Sequence, residues 1–287
     1  MSDFSKLRCP ACHGTLTMSA GLGCARCSVT YPIVDGIPVM LPNSFGPDGE
    51  QNVAIEKQFY EDMFSDLKGV EDGHCITYGH ERIYEFVNQA KRGAVLEAGC
   101  GGGHHGVALA KRGFDVTGID LSVHGLRAAK ALAKHEGQNI QYICGDIKHL
   151  PFEDRSFEIC FCSLVLHHFL SMENLLKELS RVTKRYFIAF EVNGWDPVSF
   201  VRFNIINPTI GIASISKNQR VVFPERLTAM LRENGFMDFV VQYEDIHDNI
   251  GKRPNSVKAK MIVASQALLG LFGERFSSNK FLLRAGR

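Results

Sequence analysis

The sequence predicts an α/β protein, a doubly wound sheet preceded by a small metal-binding module. Three observations carry that expectation. Apolar runs of strand length alternate with segments of helical periodicity between residues 94 and 191, the first of those runs ends in a glycine-rich turn, and two C-x-x-C pairs stand ahead of them.

The cysteine pairs come first along the chain. Cys9-Pro10-Ala11-Cys12 and Cys24-Ala25-Arg26-Cys27 are knuckles able to set four thiolates tetrahedrally around one Zn2+ ion. A closed four-thiolate shell leaves no open position, which points to structural zinc, and a redox role would need only one such pair. His13 could substitute as a ligand and is read as an exposed neighbour. Tyr31 to Pro42 adds apolar residues around a turn, and a module this small needs its metal to fold. Asn43 to Gly49 reads as a linker. Ala54 to Leu67 then carries Phe59-Tyr60 and Met63-Phe64 at helical spacing, with core packing the alternative reading of Tyr60. A second helix is expected over Glu81 to Ala90, preceded by Tyr78 and His80 as lesser site candidates.

Val95-Leu96-Glu97-Ala98 reads as a buried strand running into Gly99-Cys100-Gly101-Gly102-Gly103. Glycines there let the backbone bend tightly and approach a ligand closely. Glu97 decides what kind of ligand. A carboxylate two residues before the first glycine repels a pyrophosphate and suits a molecule bearing an ammonium group and a sulfonium centre. Gly101 to Gly106 also matches the dinucleotide pattern G-x-G-x-x-G. In a dinucleotide site, however, the first glycine follows the strand directly; here the strand ends at Ala98 and the turn begins at Gly99, so the pattern is out of register.

A helix is expected from His104 to Arg112 and a second strand from Phe114 to Asp120, whose terminal acid can accept both hydroxyls of a ribose. Val123 to His135 is helical in pattern. Ile140 to Asp146 is a third strand ending in Gly-Asp, where Asp146 can receive an adenine amino group. Phe157 to Leu164 and Tyr186 to Glu191 are the fourth and fifth strands. Such alternation implies a parallel sheet with its ligand at the carboxyl ends of the strands.

Glu97-x-Gly99-x-Gly101-x-Gly103, Asp120, Gly145-Asp146-Ile147 with Leu150-Pro151-Phe152, and Phe157 through Phe169 resemble the class I S-adenosylmethionine-dependent methyltransferases of type 11. The likeness covers roughly residues 90 to 243 and the last strand. It implies a Rossmann-like seven-stranded sheet and S-adenosyl-L-methionine as cofactor. On this likeness Glu97, Gly99, Gly101 and Gly103 hold the methionine part, Asp120 with Leu121 the ribose, and Asp146 with Ile147 the adenine. Ser163 and Leu164 line the methyl-transfer side, and Tyr60 contacts the cofactor from a helix that closes over it. Residues 7 to 42 resemble the zinc ribbon of small activator proteins that partner tRNA and release-factor methyltransferases. A ribbon joined to such a domain is also similar to certain bacterial rRNA guanine methyltransferases.

The expected organisation is a ribbon over 1–45, a linker with N-terminal helices over 46–92, and a methyltransferase domain over 93–287. Trp195 to Val222 is apolar and too long for a simple loop. With residues 244–278 it is read as a pair of substrate-lid insertions, the first near 194–222. Pro224 to Asn234 is expected as a helix, Gly235 to Tyr243 and Lys280 to Arg284 as strands. His167 and His168 follow the fourth strand and are the candidate general bases, since imidazole titrates in the useful range; cofactor-side packing is the alternative.

Composition agrees with an enzyme core with additions. Of 287 residues 45% are hydrophobic, no 18-residue apolar run appears, and Met1-Ser2-Asp3-Phe4 has no signal pattern, so a cytoplasmic location is expected. Nine cysteines, an odd number, suit a reducing compartment. Residues 251 to 287 carry eight Lys and Arg against the single acid Glu274, although the whole chain is only +1. This tail, with Val257 to Phe272 as an amphipathic helix, is read either as a peripheral membrane contact or as a packed lid. The expected activity is methyl transfer to a small or amphiphilic biosynthetic metabolite, such as an isoprenoid quinone or lipid-linked sugar. The alternatives are an rRNA or tRNA methyltransferase docking through its ribbon, and a non-catalytic cofactor-binding partner subunit.

Overall fold

The computed structural model describes residues 4–41, 57–58, 61–62, 81–90, 92–210, 219–244, 275, 278 and 280–287. At the amino terminus β1 (Thr17–Met18), β2 (Leu22–Cys24) and β3 (Val29–Tyr31) form a three-stranded antiparallel sheet. Strands β4 (Ile33–Val34) and β5 (Ile37–Pro38) pair as a hairpin turned at Asp35 and Gly36, both at positive φ.

The larger sheet is built from β6 (Ala94–Ala98), β7 (Asp115–Asp120), β8 (Gln141–Cys144), β9 (Phe157–Ser163), β10 (Thr183–Val192), β11 (Asp238–Glu244) and β12 (Lys280–Gly286). Its order is β11-β12-β10-β9-β6-β7-β8. β6 pairs in parallel with both β7 and β9, and β7 with β8. The sheet is mixed, not wholly parallel as expected, because β11 and β12 pair antiparallel from Asp238↔Gly286 to Glu244↔Lys280. Seven strands in this order form the Rossmann-like methyltransferase sheet.

The helices are α1 (Glu81–Asn88), α2 (His104–Lys111), α3 (Val123–His135), α4 (Glu173–Val182), α5 (Pro197–Val201), α6 (Asn207–Ile210) and α7 (Pro224–Glu233), with a π-helical turn over Arg202–Ile206. α3 has the predicted limits. Its first turn is capped by Ser122, whose hydroxyl accepts from the Gly125 N–H at 3.0 Å, and its last turn carries Lys134 and His135 at the negative end of the dipole. The sequence reading did not anticipate α4, which buries Leu175, Leu176, Leu179 and Val182 on one face. Of the helix expected over 54–67 only residues 57–58 and 61–62 are described, and they are helical; its other residues, most of the 244–278 insertion and the 257–272 amphipathic segment lie outside the described residues.

Contacts divide the chain into two compact units, Met1–Cys162 with Glu173–Phe187, and Ser163–Met172 with Ile188–Arg287. Within the first, the ribbon continues directly onto β8. The Met40 N–H donates to the Cys144 carbonyl at 2.6 Å, Val39 bridges Cys144 in parallel, and Leu7 bridges Phe152. Ile37, 1% exposed, enters the apolar cluster of Leu126, Ala129, Ala133 and Tyr142 beneath α3. Arg8 binds Glu153 at 2.9 Å and Arg127 binds Asp35 at 2.8 Å. The edge that β8 would otherwise present to solvent is therefore covered, which is one way a sheet avoids pairing with other chains. Within the second unit, α7 and β12 pack together, and Asn193 ties its loop to the Arg275 and Ser278 carbonyls at 2.7 and 2.6 Å.

Candidate active site and metal centre

The four cysteines of the ribbon converge. The sulfurs of Cys9, Cys12, Cys24 and Cys27 all lie within 4.8 Å of one another. Cys9 and Cys27 are 3.8 Å apart, Cys12 and Cys24 3.6 Å. Tetrahedral zinc with bonds of about 2.3 Å requires sulfurs about 3.8 Å apart, so the four thiolates fit. Each knuckle closes with a residue at positive φ just after its second cysteine, His13 at 54° and Ser28 at 53°. His13 is exposed and stands outside the sulfur cluster, as a neighbour and not a ligand.

In the first unit the glycine turn follows β6 as predicted. Gly99, Gly101 and Gly103 have φ of 74°, 47° and 76°, the left-handed region that L side chains avoid. Gly103 is also hemmed in, since a Cβ there would lie 2.6 Å from that of Ala129. Asp120 closes β7 and orders the turn: its Oδ2 accepts the Gly101 N–H at 2.8 Å and its Oδ1 the Ser122 N–H at 2.9 Å. A carboxylate is an acceptor of the kind that ribose hydroxyls need. Leu121 beside it is half-buried.

Asp146 is 1% exposed and holds its own loop, accepting the Lys148 N–H at 2.9 Å and facing His149 Nδ1 at 3.3 Å. His149 is held above its ordinary pKa, chiefly by that hydrogen bond. Ile147 is 6% exposed.

Glu97 is 2% exposed. Burial pushes its carboxyl up to about 8; the Gly106 amide draws it down and Asp120 pushes it further up. That amide lies close but lacks hydrogen-bond geometry, so Glu97 Oε2 is without a partner among the described residues, as are His104 Nε2 and the Tyr142 hydroxyl. Burial holds His104 below its ordinary pKa. A ligand ammonium would supply what the orphaned carboxylate oxygen lacks, and the glycine turn leaves room for close approach, so these residues fit S-adenosylmethionine.

Glu61 was missed in the sequence. Its carboxylate accepts the N–H groups of Val123 and His124 at 3.0 and 3.1 Å and the Ser122 hydroxyl at 3.1 Å, adding a second cap to α3 beside that of Ser122. Burial alone would raise its pKa, but these donors hold it low. Tyr60, Tyr78 and His80 lie outside the described residues.

The second unit holds the remaining candidates. Ser163 ends β9, and Leu164 follows at φ 56°, an uncommon and costly conformation for a bulky side chain. It packs against Val192, Phe203 and Val221. Leu166–His168 form a 3₁₀ turn. His167 is 6% exposed and its Nδ1 lies 2.8 Å from Oε2 of Glu191, at the end of β10. Glu191 is fully buried, and its Oε1 accepts the N–H groups of Val165 and Leu166 at 2.7 and 2.6 Å.

Burial and then the adjacent His168 hold His167 below its ordinary pKa, despite the carboxylate. Burial opposes ionisation of Glu191, yet His167 and the two amides keep it low. Both directions describe an ionised Glu191 and a neutral His167; because a carboxylate only accepts, the ring proton belongs on Nδ1 opposite it and the lone pair on Nε2. His168 stacks on His167 at 4.3 Å between ring centroids and lies 3.3 Å from the Gln219 amide. The sequence pointed to the histidines and not to Glu191, whose only local signal is an acid ending an otherwise apolar buried strand.

Two family descriptions match the chain. "Methyltransferase domain" covers residues 96–187, and "Trm112p-like protein" covers residues 6–36. Residues 96–187 are a methyltransferase domain. The chain is 38% identical over 140 residues to a ubiquinone biosynthesis O-methyltransferase of Coxiella burnetii, spanning 47% of this chain and 60% of that protein. Identity is 30% over 103 residues to a malonyl-[acyl-carrier protein] O-methyltransferase of Hamiltonella defensa, spanning 36% of this chain and 38% of that protein. A SAM-dependent methyltransferase from Archaeoglobus fulgidus shares the fold at TM-score 0.53 and 17% identity, covering 72% of this chain and 92% of that one. S-adenosylmethionine is the methyl donor of this domain type, and the ribbon is a Trm112p-like zinc module. Among the described residues no helix is long and apolar enough to cross a membrane.

Proposed function

We propose that the whole chain is an S-adenosylmethionine-dependent O-methyltransferase acting on a hydroxyl of a small or amphiphilic biosynthetic metabolite. The observation that carries this reading is the buried His167–Glu191 pair, His167 Nδ1 lying 2.8 Å from Glu191 Oε2, an arrangement that directs the lone pair of a neutral imidazole to Nε2. A hydroxyl is a poor nucleophile until its proton is taken, and a carboxylate-oriented neutral imidazole is suited to that task. S-adenosylmethionine, when bound, supplies a methyl group already activated by a sulfonium.

The chain's own residues then have three tasks. Glu97 binds the ligand's ammonium, while Gly99, Gly101 and Gly103 admit it closely. Asp120 with Leu121, and Asp146 with Ile147, orient its ribose and adenine. His167 takes the acceptor's proton at Nε2, and Glu191 stabilises the imidazolium that results. His168 positions His167 by stacking, Ser163 and Leu164 border the reacting group, and Tyr60 contacts the cofactor. The names of the two O-methyltransferase relatives support transfer to oxygen, although the chain spans only 60% and 38% of their lengths. Exposed Val198, Phe200, Val201 and Ile205 on the 197–206 helical run support an amphiphilic acceptor.

The test is incubation of the protein with methyl-labelled cofactor and fractionated small-molecule, lipid and RNA extracts. Label is expected in a small-molecule or lipid fraction, and His167→Ala is expected to abolish it while S-adenosylhomocysteine still binds. Label confined to RNA would overturn the metabolite reading. No label anywhere despite tight cofactor binding would favour a partner-subunit role.

A further inference from the structure

The glycine turn lies at the carboxyl end of β6. At the amino ends of β6, β9 and β10 the first unit has a concavity of about 440 Å³, whose lining shares no residue with the proposed methyl-transfer site. Four cations border it, Arg92, Arg155, Lys184 and Arg185, with Glu158 the single acid of the lining. Glu158 is engaged: its Oε1 binds Lys184 Nζ at 2.6 Å and its Oε2 lies 3.8 Å from Arg185 Nε. Arg92 and Arg155 have no ion pair among the described residues, so two guanidinium groups face the cavity uncompensated.

These cations are not consumed in capping helices. The α2 carboxyl end is closed by the Arg112 and Gly113 amides on Leu109 and Ala110, and the cation on the last turn of α4, Arg181, is bound to Glu178 and Asp154. Arg155 sits at φ 55°, held there by its N–H on the Arg181 carbonyl at 2.8 Å, a conformation that costs about 1–2 kcal/mol for a non-glycine residue. Glu158 packs its stem over Gly93, where any Cβ would clash at 2.5 Å, so the floor admits only glycine.

The lining defines the ligand's chemistry. Two free guanidinium forks match pairs of phosphate oxygens. No aromatic side chain is present, and Ala94 is the only apolar one, which excludes a stacked or greasy body. The volume lies within the roughly 300–1,000 Å³ typical of small-molecule sites and exceeds what one phosphate needs. We propose that this cavity is a binding site for a diphosphate group, carried either as free pyrophosphate or as the end of a small ester.

The test is calorimetric titration of the full-length zinc-loaded protein at low ionic strength with inorganic pyrophosphate, and with isopentenyl diphosphate as an ester of the same group. Saturable binding of both supports an ester-tolerant site, and binding of pyrophosphate alone a free-anion site. Arg92→Ala combined with Arg155→Ala is expected to weaken binding at least tenfold. Glu158→Gln is expected to tighten it severalfold, and Lys111→Ala, a cation paired elsewhere with Glu136, to leave it unchanged. If the double alanine variant is misfolded by circular dichroism, Arg92→Lys with Arg155→Lys replaces it, retaining charge but losing the forks, and severalfold weakening is expected. No saturable binding, or affinity within twofold of wild type in the folded double variant, would overturn the proposal.

Discussion

Replacing Glu191 with Gln alters one oxygen and is expected to reverse the protonation pattern of His167. Both carboxylate oxygens are engaged, Oε1 by the Val165 and Leu166 amides at 2.7 and 2.6 Å, Oε2 by His167 Nδ1 at 2.8 Å. A glutamine must keep its carbonyl oxygen toward the two amides, because turning its NH₂ toward them would set donors against donors. The NH₂ then faces Nδ1, which must accept, and the ring proton moves to Nε2. The lone pair needed for catalysis is gone, although the ring has not moved.

Loss of a general base lowers rates by about 10²–10⁴, or about 3–5 kcal/mol of barrier. The fold suffers less. Three charge-assisted hydrogen bonds become neutral ones, a loss of about 1 kcal/mol each, partly offset because a buried amide is less costly than a buried carboxylate; the net is about 1–2 kcal/mol. Glu191→Ala strands three donors and is expected to destabilise by about 3–5 kcal/mol. Nitrogen-15 NMR of the histidine rings reads the tautomer directly without a substrate, and urea unfolding reads the stability. An Nε2-protonated His167 in the wild type would refute the reasoning. So would unchanged methyl transfer by a folded Glu191→Gln variant.

Three further outcomes follow from the first unit. Because burial raises Glu97 to about 8, binding S-adenosylhomocysteine below that pH is expected to release a proton, and affinity to climb as pH rises toward 8; Glu97→Gln should flatten the slope in calorimetry across buffers of different ionisation enthalpy. The same raised pKa means the folded state holds more protons than the unfolded between about 4.5 and 8, so this group's contribution to stability is present below that window and lost as pH rises through it. Gly103→Ala places a methyl 2.6 Å from Ala129 Cβ at φ 76°; left-handed strain of about 1–2 kcal/mol and overpacking of about 1–3 kcal/mol should lower the urea midpoint and cofactor affinity together. Removing zinc with a chelator, or Cys24→Ser, is expected to lower the melting temperature and speed amide exchange at Tyr142 and Ile143, because Met40 and Ile37 anchor the ribbon on that strand; identical exchange with and without zinc would show that the ribbon and β8 are independent.

What could be read from the sequence is what the backbone dictates locally. Gly99, Gly101 and Gly103 stand where φ is positive, and only that residue type tolerates such turns at little cost. The helical period of Val123 to His135 coincides with the limits of α3, and two residues between cysteines suffice to bend a chain around a metal. Strand alternation, by contrast, reports which face is buried and says nothing of pairing direction, so the antiparallel β11–β12 pair was invisible although both strands were expected. α4 carries a legible signal, since Leu175, Leu176, Leu179 and Val182 recur at the helical period between two strands.

The acids divide along the same line. Asp120 ends β7, Asp146 stands two residues beyond β8 where a strand running to 146 was expected, and each binds an amide two residues away, a local arrangement that a motif therefore records. Glu191 meets its three donors 24 to 26 residues back in the chain, and Glu61 caps a helix 61 to 63 residues ahead. Neither spacing is constrained by backbone geometry, since the intervening segments could lengthen without moving either carboxylate. Such partnerships exist only once the chain has folded, and the most consequential of them sets the proton on His167. A histidine at this place in the sequence is thus only a candidate base; the buried carboxylate behind it is what fixes which nitrogen can act.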